Sequence, residues 1–180
     1  MLNPVVFNLA DRAGRSGRVT RRFTAEPEAP KSTLSNHTVL VGYGRVGEAV
    51  ASGLAEAGSP FVIVEDNDET AERAREAGHP VISGNAADPR VLSSTNLAQA
   101  ARLFVAVPNA FEAGQIVEQA RRANPEVEIV ARAHSDAEVA HLTALGARVT
   151  IMGEREIAAR MLDEAFRARG GERAGREGAA

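Results

Sequence analysis

A glycine-rich turn is the segment of the chain whose residue types and spacing best suit a chemical role. It reads Gly-Tyr-Gly-Arg-Val-Gly over residues 42–47, after the apolar run Thr38–Val41 and before a predicted helix. In this context the first glycine permits a tight turn, the second lets a pyrophosphate approach the backbone, and the third lets the helix pack closely on the strand. Free N–H groups at the helix N-terminus add a partial positive charge. We predict that phosphate is bound by Gly42, Tyr43, Gly44, Arg45, Val46 and Gly47; the alternative is a plain glycine-rich turn.

An acidic pair, Glu65 and Asp66, ends the second predicted strand, roughly 20 residues after the glycine-rich turn. An acidic side chain at this place accepts hydrogen bonds from the ribose hydroxyls of a nucleotide and repels a 2′-phosphate. The spacing therefore favours NAD(H), AMP, ADP or ATP over NADP(H). The alternative interpretation is that Glu65 only ends the strand and that Asp66, or a residue after it, caps the next helix.

Three further strand ends are expected at the edge of the sheet where doubly wound folds bind ligands. We expect Asn85 and Ala86 to border an adenine, and Val107 and Pro108 to form a second wall of the cleft. Arg132 ends the fifth strand, where its guanidinium suits either the cleft or a surface ion pair.

Several polar residues occur where helices should begin. Arg45 places a positive charge at the positive end of the helix macrodipole, which is unfavourable. A bound phosphate is expected to compensate this positive charge; the alternative is an exposed, solvated side chain. Asp88 before a proline is typical of an N-cap, and Ser135 with Glu138 has the spacing of a capping box. We interpret these last three residues as structural.

Short β-branched runs alternate with amphipathic segments from His37 onward, which is typical of repeated βα units. The predicted strands are residues 38–41, 61–65, 81–83, 103–107, 128–133 and 148–151. The predicted helices are residues 46–57, 69–77, 110–122 and 136–145. Because crossover connections are right-handed, we predict an α/β fold, a Rossmann-type doubly wound parallel sheet of about six strands in the order 3-2-1-4-5-6 with helices on both faces.

Composition argues against several classes of function. A formal net charge of −3 gives no general attraction to nucleic acid, and the absence of cysteine removes thiolate nucleophiles and cysteine metal sites. The four histidines show no metal-ligand spacing with carboxylates, so no metal site is predicted. Apolar runs are far shorter than the ~20 residues of a membrane span. The short loops offer no evident substrate platform or acid–base set, so we predict a nucleotide sensor rather than an enzyme.

The two ends of the chain differ from its centre. Residues 1–36 combine a short apolar piece with arginine, glycine, serine and proline, and are predicted to form a basic flexible arm and linker. Residues 37–151 form the predicted nucleotide-binding domain. Residues 152–168 are expected to contain a C-terminal helix, starting at Glu154, with Ile157, Met161 and Leu162 near one face. Residues 169–180 lack large apolar side chains and are predicted to be a disordered tail.

Four strings together resemble the RCK N-terminal (TrkA-N) domain, especially the version at the C-terminus of Kef/YbaL-type monovalent cation:proton antiporters. They cover about residues 37–166 and read HTVLVGYGRVG at 37–47, GNAADP at 84–89, IVARAHSD at 129–136 and MGEREI at 152–157. Residues 2–12 also look like the cytoplasmic end of such an antiporter's last membrane helix. The arginines that follow agree with the positive-inside rule.

The resemblance implies a cytoplasmic, ligand-controlled gate at the inner face of the cell membrane. Such domains form homodimers, bind NAD(H) or an adenine nucleotide (AMP/ATP) as a ligand rather than a redox cofactor, and act on a membrane antiporter or potassium-transport domain. The helix from Glu154 resembles the family's exchanged dimer helix. The resemblance implies that phosphate is contacted by Gly42, Gly44, Arg45 and Gly47, the ribose by Glu65, and the adenine side by Asn85 and Ala86.

Two departures from the family pattern limit what is carried over. Asn85 stands where many relatives have Asp, and the sequence shows no second RCK lobe, so ion-linked regulation through that lobe is not expected. Two other functions remain open. A small NAD-dependent oxidoreductase would transfer hydride stoichiometrically to a substrate, whereas a dimerisation module without ligand would show no effect of nucleotides on its stability.

Overall fold

Six parallel strands form a single sheet in the computed structural model, which describes residues 31–177 and the side chains of residues 31–167. The strands are β1 Thr38–Val41, β2 Phe61–Glu65, β3 Val81–Ser83, β4 Arg102–Val105, β5 Glu128–Ala133 and β6 Val149–Met152. The helices are α1 Arg45–Glu56, α2 Asp68–Glu76, α3 Pro89–Ser94, α4 Ala110–Ala123, α5 Asp136–Ala144 and α6 Gly153–Glu177, with a 3₁₀ helix Leu97–Gln99. The order is β3-β2-β1-β4-β5-β6. The predicted fold class and strand order are confirmed.

Several predicted boundaries differ from the structure. Strand β4 is Arg102–Val105 instead of residues 103–107; the Ala106 N–H still donates to the Val41 carbonyl at 2.8 Å, and Pro108 has no N–H with which to extend the pairing. Between β3 and β4 only the start of α3 was predicted, through its N-cap Asp88; the extent of the two short helices was not, since a few residues show too little periodicity. The last helix continues to Glu177, into the segment expected to be a disordered tail, whose residues 178–180 lie outside the described residues.

Residues 32–36 are hydrogen-bonded to the domain, which corrects their assignment to a flexible linker. The backbone N–H of Ser32 donates to the Ser94 carbonyl at 2.7 Å, and the Asn96 amide donates to the Leu34 carbonyl at 2.8 Å. The Leu34 side chain packs against the main core. The ordered domain therefore begins before His37. The rest of the predicted basic arm, residues 1–30, lies outside the described residues.

The sheet separates two hydrophobic cores of unequal size. Strands β1 and β2 are buried along their whole length, as expected for parallel strands covered on both faces. The larger core lies towards α3, α4 and α5, and includes Val41, Leu103, Ile116, Ile129 and Leu142. The smaller core lies towards α1 and α2, and includes Leu40, Ala51, Phe61, Ile63 and Ala74. Helices therefore lie on both faces, as predicted.

On the α1 side, the half of the sheet formed by β4, β5 and β6 has no helix packed over it among the described residues. Alternate residues of β5 face the larger core, whereas Val130 and Arg132 point the other way and are only half-buried. Next to them in the register, Val149 and Ile151 of β6 are each 42% exposed. A groove of about 260 Å³ results, which we call the β4–β6 groove; it is lined mainly by Leu40, Val46, Val50, Phe104, Val130, Arg132 and Ile151.

Candidate functional site

The turn between β1 and α1 has the geometry that phosphate binding requires. Gly42 has a φ of +92°, a conformation that suits glycine, and an atom added at the Cβ position of Gly47 would lie 1.9 Å from the Gly42 carbonyl oxygen. Gly44 is the N-cap of α1 and makes no side-chain cap hydrogen bond. Nothing lies within 4 Å of its Cβ position. The first N–H groups of α1 are therefore left without a side-chain acceptor at an open approach.

The Glu65 carboxylate connects this turn to the one after β2. Its Oε2 accepts a hydrogen bond of 2.6 Å from the Tyr43 backbone N–H, and its Oε1 accepts one of 3.0 Å from the Asn67 backbone N–H. Glu65 is 9% exposed and lines the cleft. Because each carboxylate oxygen can accept more than one hydrogen bond, both oxygens retain capacity for the hydroxyls of a ribose.

One cavity of about 390 Å³ brings most of the predicted site residues together at the carboxyl ends of the strands. It opens where the strand order reverses between β1 and β4, which is the ligand position expected of doubly wound sheets. The predicted residues that line it are Gly42, Gly44, Arg45, Val46, Glu65, Asp66, Ala86, Val107 and Pro108. We call this cavity the cleft.

Three predicted site residues do not line the cleft. The Tyr43 side chain is 4% exposed and packs in the smaller core, with its ring centroid 5.9 Å from that of His79. Burial, and secondarily the Glu48 carboxylate, raise the pKa of Tyr43 above its ordinary value. Gly47 lies beneath the turn, where its role is close packing. Asn85 accepts a hydrogen bond of 2.7 Å from the Ala87 N–H, so its side chain stabilises its own turn.

Residues that the sequence did not single out also line the cleft. Thr70 and Glu112 are the third residues of α2 and α4, and Gly84 and Ala106 follow β3 and β4. Their signal is positional: helices that follow parallel strands begin at the same edge of the sheet, so their first turns face a common cleft. Arg132, for which the sequence left the cleft and a surface ion pair equally open, lines the cleft.

Charged side chains of both signs line the cleft. Glu65, Asp66 and Glu112 supply carboxylates, and Arg45 and Arg132 supply guanidinium groups. Burial, together with the Asp66 and Glu65 carboxylates, raises the pKa of Glu112 above its ordinary value. Arg45 and Arg132 also line a second, shallower cavity beside α1 with Val46, Ala49 and Val50. An adenosine nucleotide has the matching polarity, with hydroxyls at the ribose and negative charge at the phosphates.

Helix caps account for several polar residues near the cleft. The predicted caps are confirmed: Asp88 accepts from the Arg90 N–H at 2.8 Å, and Ser135 accepts from the Glu138 N–H at 3.2 Å. Asn67, not Asp66, caps α2 by accepting from the Thr70 N–H at 2.9 Å. Within the described part of the chain, no group of three or more His, Asp or Glu side chains is placed to hold a metal ion.

Comparison with known families gives this arrangement its context. A family model described as the TrkA-N domain matches residues 38–153. The chain belongs to the TrkA-N domain family. YbaL of Escherichia coli strain K12, named as a candidate cation/proton antiporter, is 39% identical to this TrkA-N chain over 168 residues. That match covers 91% of the chain but 30% of YbaL, so the chain spans less than a third of that relative's length.

Two solved structures share the fold of this chain. The crystal structure of the TrkA-N domain of the Escherichia coli inner membrane protein YbaL superimposes with a TM-score of 0.71 at 43% identity, covering 73% of this chain and 98% of that one. The Kef CTD of Shewanella denitrificans, in an AMP-bound form, superimposes with a TM-score of 0.64 at 27% identity, covering 78% and 88%. No helix in residues 31–177 is both long and apolar enough to cross a membrane.

Replacement of Glu112 by glutamine tests the crowding of carboxylates in the cleft. The pKa of Glu112 is raised in the folded state, so its ionised form is less favourable there than in the unfolded chain. The penalty is present at neutral pH and disappears below the ordinary carboxyl pKa of ~4.3, where the group is neutral in both states. Glu112→Gln should therefore raise Tm near pH 7.5 and give no such gain in acid.

Thermal unfolding followed by circular dichroism at both pH values measures this effect. The matched control is Glu126→Gln, an exposed carboxylate outside the cleft lining, which should leave Tm nearly unchanged at either pH. A lower Tm for Glu112→Gln at pH 7.5 would contradict the electrostatic account of the cleft.

Proposed function

We propose that this TrkA-N domain binds an adenine nucleotide in the cleft and thereby regulates a potassium/proton antiport or potassium-transport system. The observation that carries the proposal is the meeting of three features in one cavity: an uncapped helix start behind Gly44, the Glu65 carboxylate, and the Arg45 guanidinium. These features supply acceptors for a ribose and donors for phosphate on one continuous surface.

The cleft suggests how the nucleotide is oriented. Phosphates lie over Gly44 at the start of α1, where backbone N–H groups and Arg45 stabilise negative charge. The ribose hydroxyls donate to Glu65, with Asp66 beside it. The base lies against the apolar walls formed by Ala86, Val107 and Pro108. NAD(H), AMP, ADP and ATP all fit this pattern, and the AMP-bound form of the Kef relative supports an adenine nucleotide as the ligand.

The transport role rests on the relatives rather than on the cleft. YbaL is named as a candidate cation/proton antiporter, and this chain matches only part of it. We infer that the domain acts with a membrane antiporter or potassium-transport domain, at the cytoplasmic face of the membrane. In this role NAD(H) is a ligand and no hydride is transferred. The absence of hydride transfer distinguishes this function from that of a small NAD-dependent oxidoreductase.

Replacement of Glu65 by glutamine tests the ribose site. The amide has one acceptor oxygen in place of two charged ones, so hydrogen bonds to the diol are lost and the repulsion of a 2′-phosphate is removed. Isothermal titration of the full chain with AMP, NADH and NADPH should show roughly tenfold to hundredfold weaker binding of AMP and NADH, as expected for charge-assisted hydrogen bonds. The ratio of the affinity for NADH to that for NADPH should decrease.

The control for this experiment is Glu56→Gln, an exposed carboxylate at the end of α1, which should bind like the wild type. Because Glu65 also joins two turns, circular dichroism must show that the variant is folded at the titration temperature. Failure of the wild type to bind AMP, NAD(H) and ATP would contradict the proposed function. Equal binding of NADH and NADPH by the wild type would contradict the role of Glu65.

A homodimer is the second part of the proposal, and the exposed side chains of α6 support it. Ile157, Met161, Leu162 and Phe166 are each more than half exposed, which is unusual for four large apolar residues on one helix. The β4–β6 groove of a second copy is an apolar surface to which such a helix can dock. Docking between two copies would bury both the apolar side chains of α6 and the β4–β6 groove, and no protein of a different kind would be needed.

Leu162→Glu should therefore shift the full chain from dimer to monomer, because an unpaired carboxylate is costly inside an apolar interface. Light scattering coupled to gel filtration measures the mass directly. Leu162→Met keeps apolar volume at the same position and should leave the mass unchanged. A monomeric wild type at micromolar concentration, or a dimer that survives Leu162→Glu, would contradict this arrangement.

A further inference from the structure

Arg132 lines both the cleft and the β4–β6 groove. It is on the half-buried face of β5, and its register partner on β6 is Ile151, whose side chain lines the β4–β6 groove. The same arginine lines the cleft together with Arg45 and Glu65. Of the residues that line the cleft, Val46, Ala106 and Arg132 also line the groove, and Arg132 is the charged one.

The guanidinium of Arg132 makes no hydrogen bond or ion pair with any other residue in the range 31–167. The same is true of Arg45, which is exposed, and the two arginines line two cavities in common. Several other arginines of the domain are paired, for example Arg102 and Arg148 with Glu128. A half-buried guanidinium with five donors is stabilised by an anion, and its planar shape matches two phosphate oxygens at once.

We propose that Arg132 binds a phosphate of the nucleotide and that this contact transmits occupancy of the cleft to the β4–β6 groove. The inference rests on the proposed nucleotide function and adds a second phosphate ligand and a route of regulation. Phosphate draws the guanidinium towards Gly44 and Arg45, and so changes the wall of the groove beside Ile151. Because coupling between two sites is reciprocal, whatever docks in the groove must change nucleotide affinity by the same factor.

The phosphate contact is tested by titrating the full chain with adenosine, AMP and ADP. Arg132→Gln should weaken AMP and ADP by roughly tenfold to hundredfold and leave adenosine nearly unchanged, because the lost hydrogen bonds are charge-assisted ones to phosphate. The matched control is Arg122→Gln, an arginine of α4 that pairs with Glu118 on the surface and loses the same charge outside the cleft. It should bind all three ligands like the wild type.

The coupling to the groove is tested with a fluorescent reporter. The chain has no tryptophan, so Ile151→Trp places a single indole in the groove beside Arg132. Saturating ADP should shift the indole emission of Ile151→Trp, and the shift should be absent from the Ile151→Trp, Arg132→Gln double variant at its own saturating ADP concentration. Ile151→Trp with Arg122→Gln should keep the shift.

The outcomes separate this inference from the function on which it rests. A wild type that binds none of the nucleotides contradicts the proposed function itself. A wild type and Arg132→Gln that bind AMP and ADP equally contradict only the phosphate contact. An emission shift that persists without Arg132, or that never occurs although ADP binds, contradicts the coupling to the groove.

Discussion

The Glu65 carboxylate is the interaction on which the geometry of the cleft depends. It is nearly buried, and its two oxygens hold the backbone N–H groups of Tyr43 and Asn67, which belong to the turns after β1 and β2. Hydrogen bonds to a charged group contribute about 1.5–3 kcal/mol, and without the carboxylate the buried Tyr43 N–H would lose its acceptor. A single side chain thus fixes the distance between the glycine-rich turn, where we propose that phosphate binds, and the turn after β2, where we propose that the ribose binds. Its remaining acceptor capacity faces the cleft, so the structural role and the binding role are compatible.

The cleft and the β4–β6 groove lie next to each other. Two features produce this arrangement: the close packing of α1 on the glycine-rich turn, and the absence of a helix over strands β4, β5 and β6 on the α1 side among the described residues. The close contact between Gly47 and Gly42 lets α1 lie directly against the carboxyl end of β1, so the start of the helix faces the cleft. The same helix borders the β4–β6 groove through Val46 and Val50. Strand β5 contributes Arg132 to both cavities. The fold therefore places the cleft and the apolar β4–β6 groove within the reach of one side chain.

Local pattern was sufficient to predict much of the fold. The bounds of β1, β2, β3 and β5 and the strand order follow from β-branched runs between glycine-containing turns, because such runs leave few ways to form a parallel sheet. Nine of the twelve predicted site residues line the cleft, since strand ends of a parallel sheet converge on one edge.

Tertiary contacts decided what the sequence could not. Alternation along β5 predicts that Arg132 lies on the face of the sheet away from the larger core. The alternation does not predict whether a helix covers that face or whether the face opens on a cleft. Tyr43 belongs to the glycine-rich string, yet its ring packs in the core, because only its backbone is held at the turn. Residues 32–36 look like a linker in composition, and hydrogen bonds to residues far along the chain hold them. Nothing in the sequence distinguishes Glu112 from the other acidic residues, because its proximity to Asp66 arises only from the position of α4 in the fold.

The central claim is that an adenine nucleotide occupies the cleft between Gly44 and Glu65, and backbone amide NMR of the uniformly ¹⁵N-labelled chain tests it most directly. On titration with AMP, the account predicts saturable shifts of the Tyr43, Gly44, Arg45 and Asn67 amides, which lie in the glycine-rich turn or donate to the Glu65 carboxylate. Amides at the opposite edge of the sheet, such as those of Phe61 and Val81, should stay in place. Shifts confined to that opposite edge, or no shifts at saturating AMP and NADH, would contradict the account.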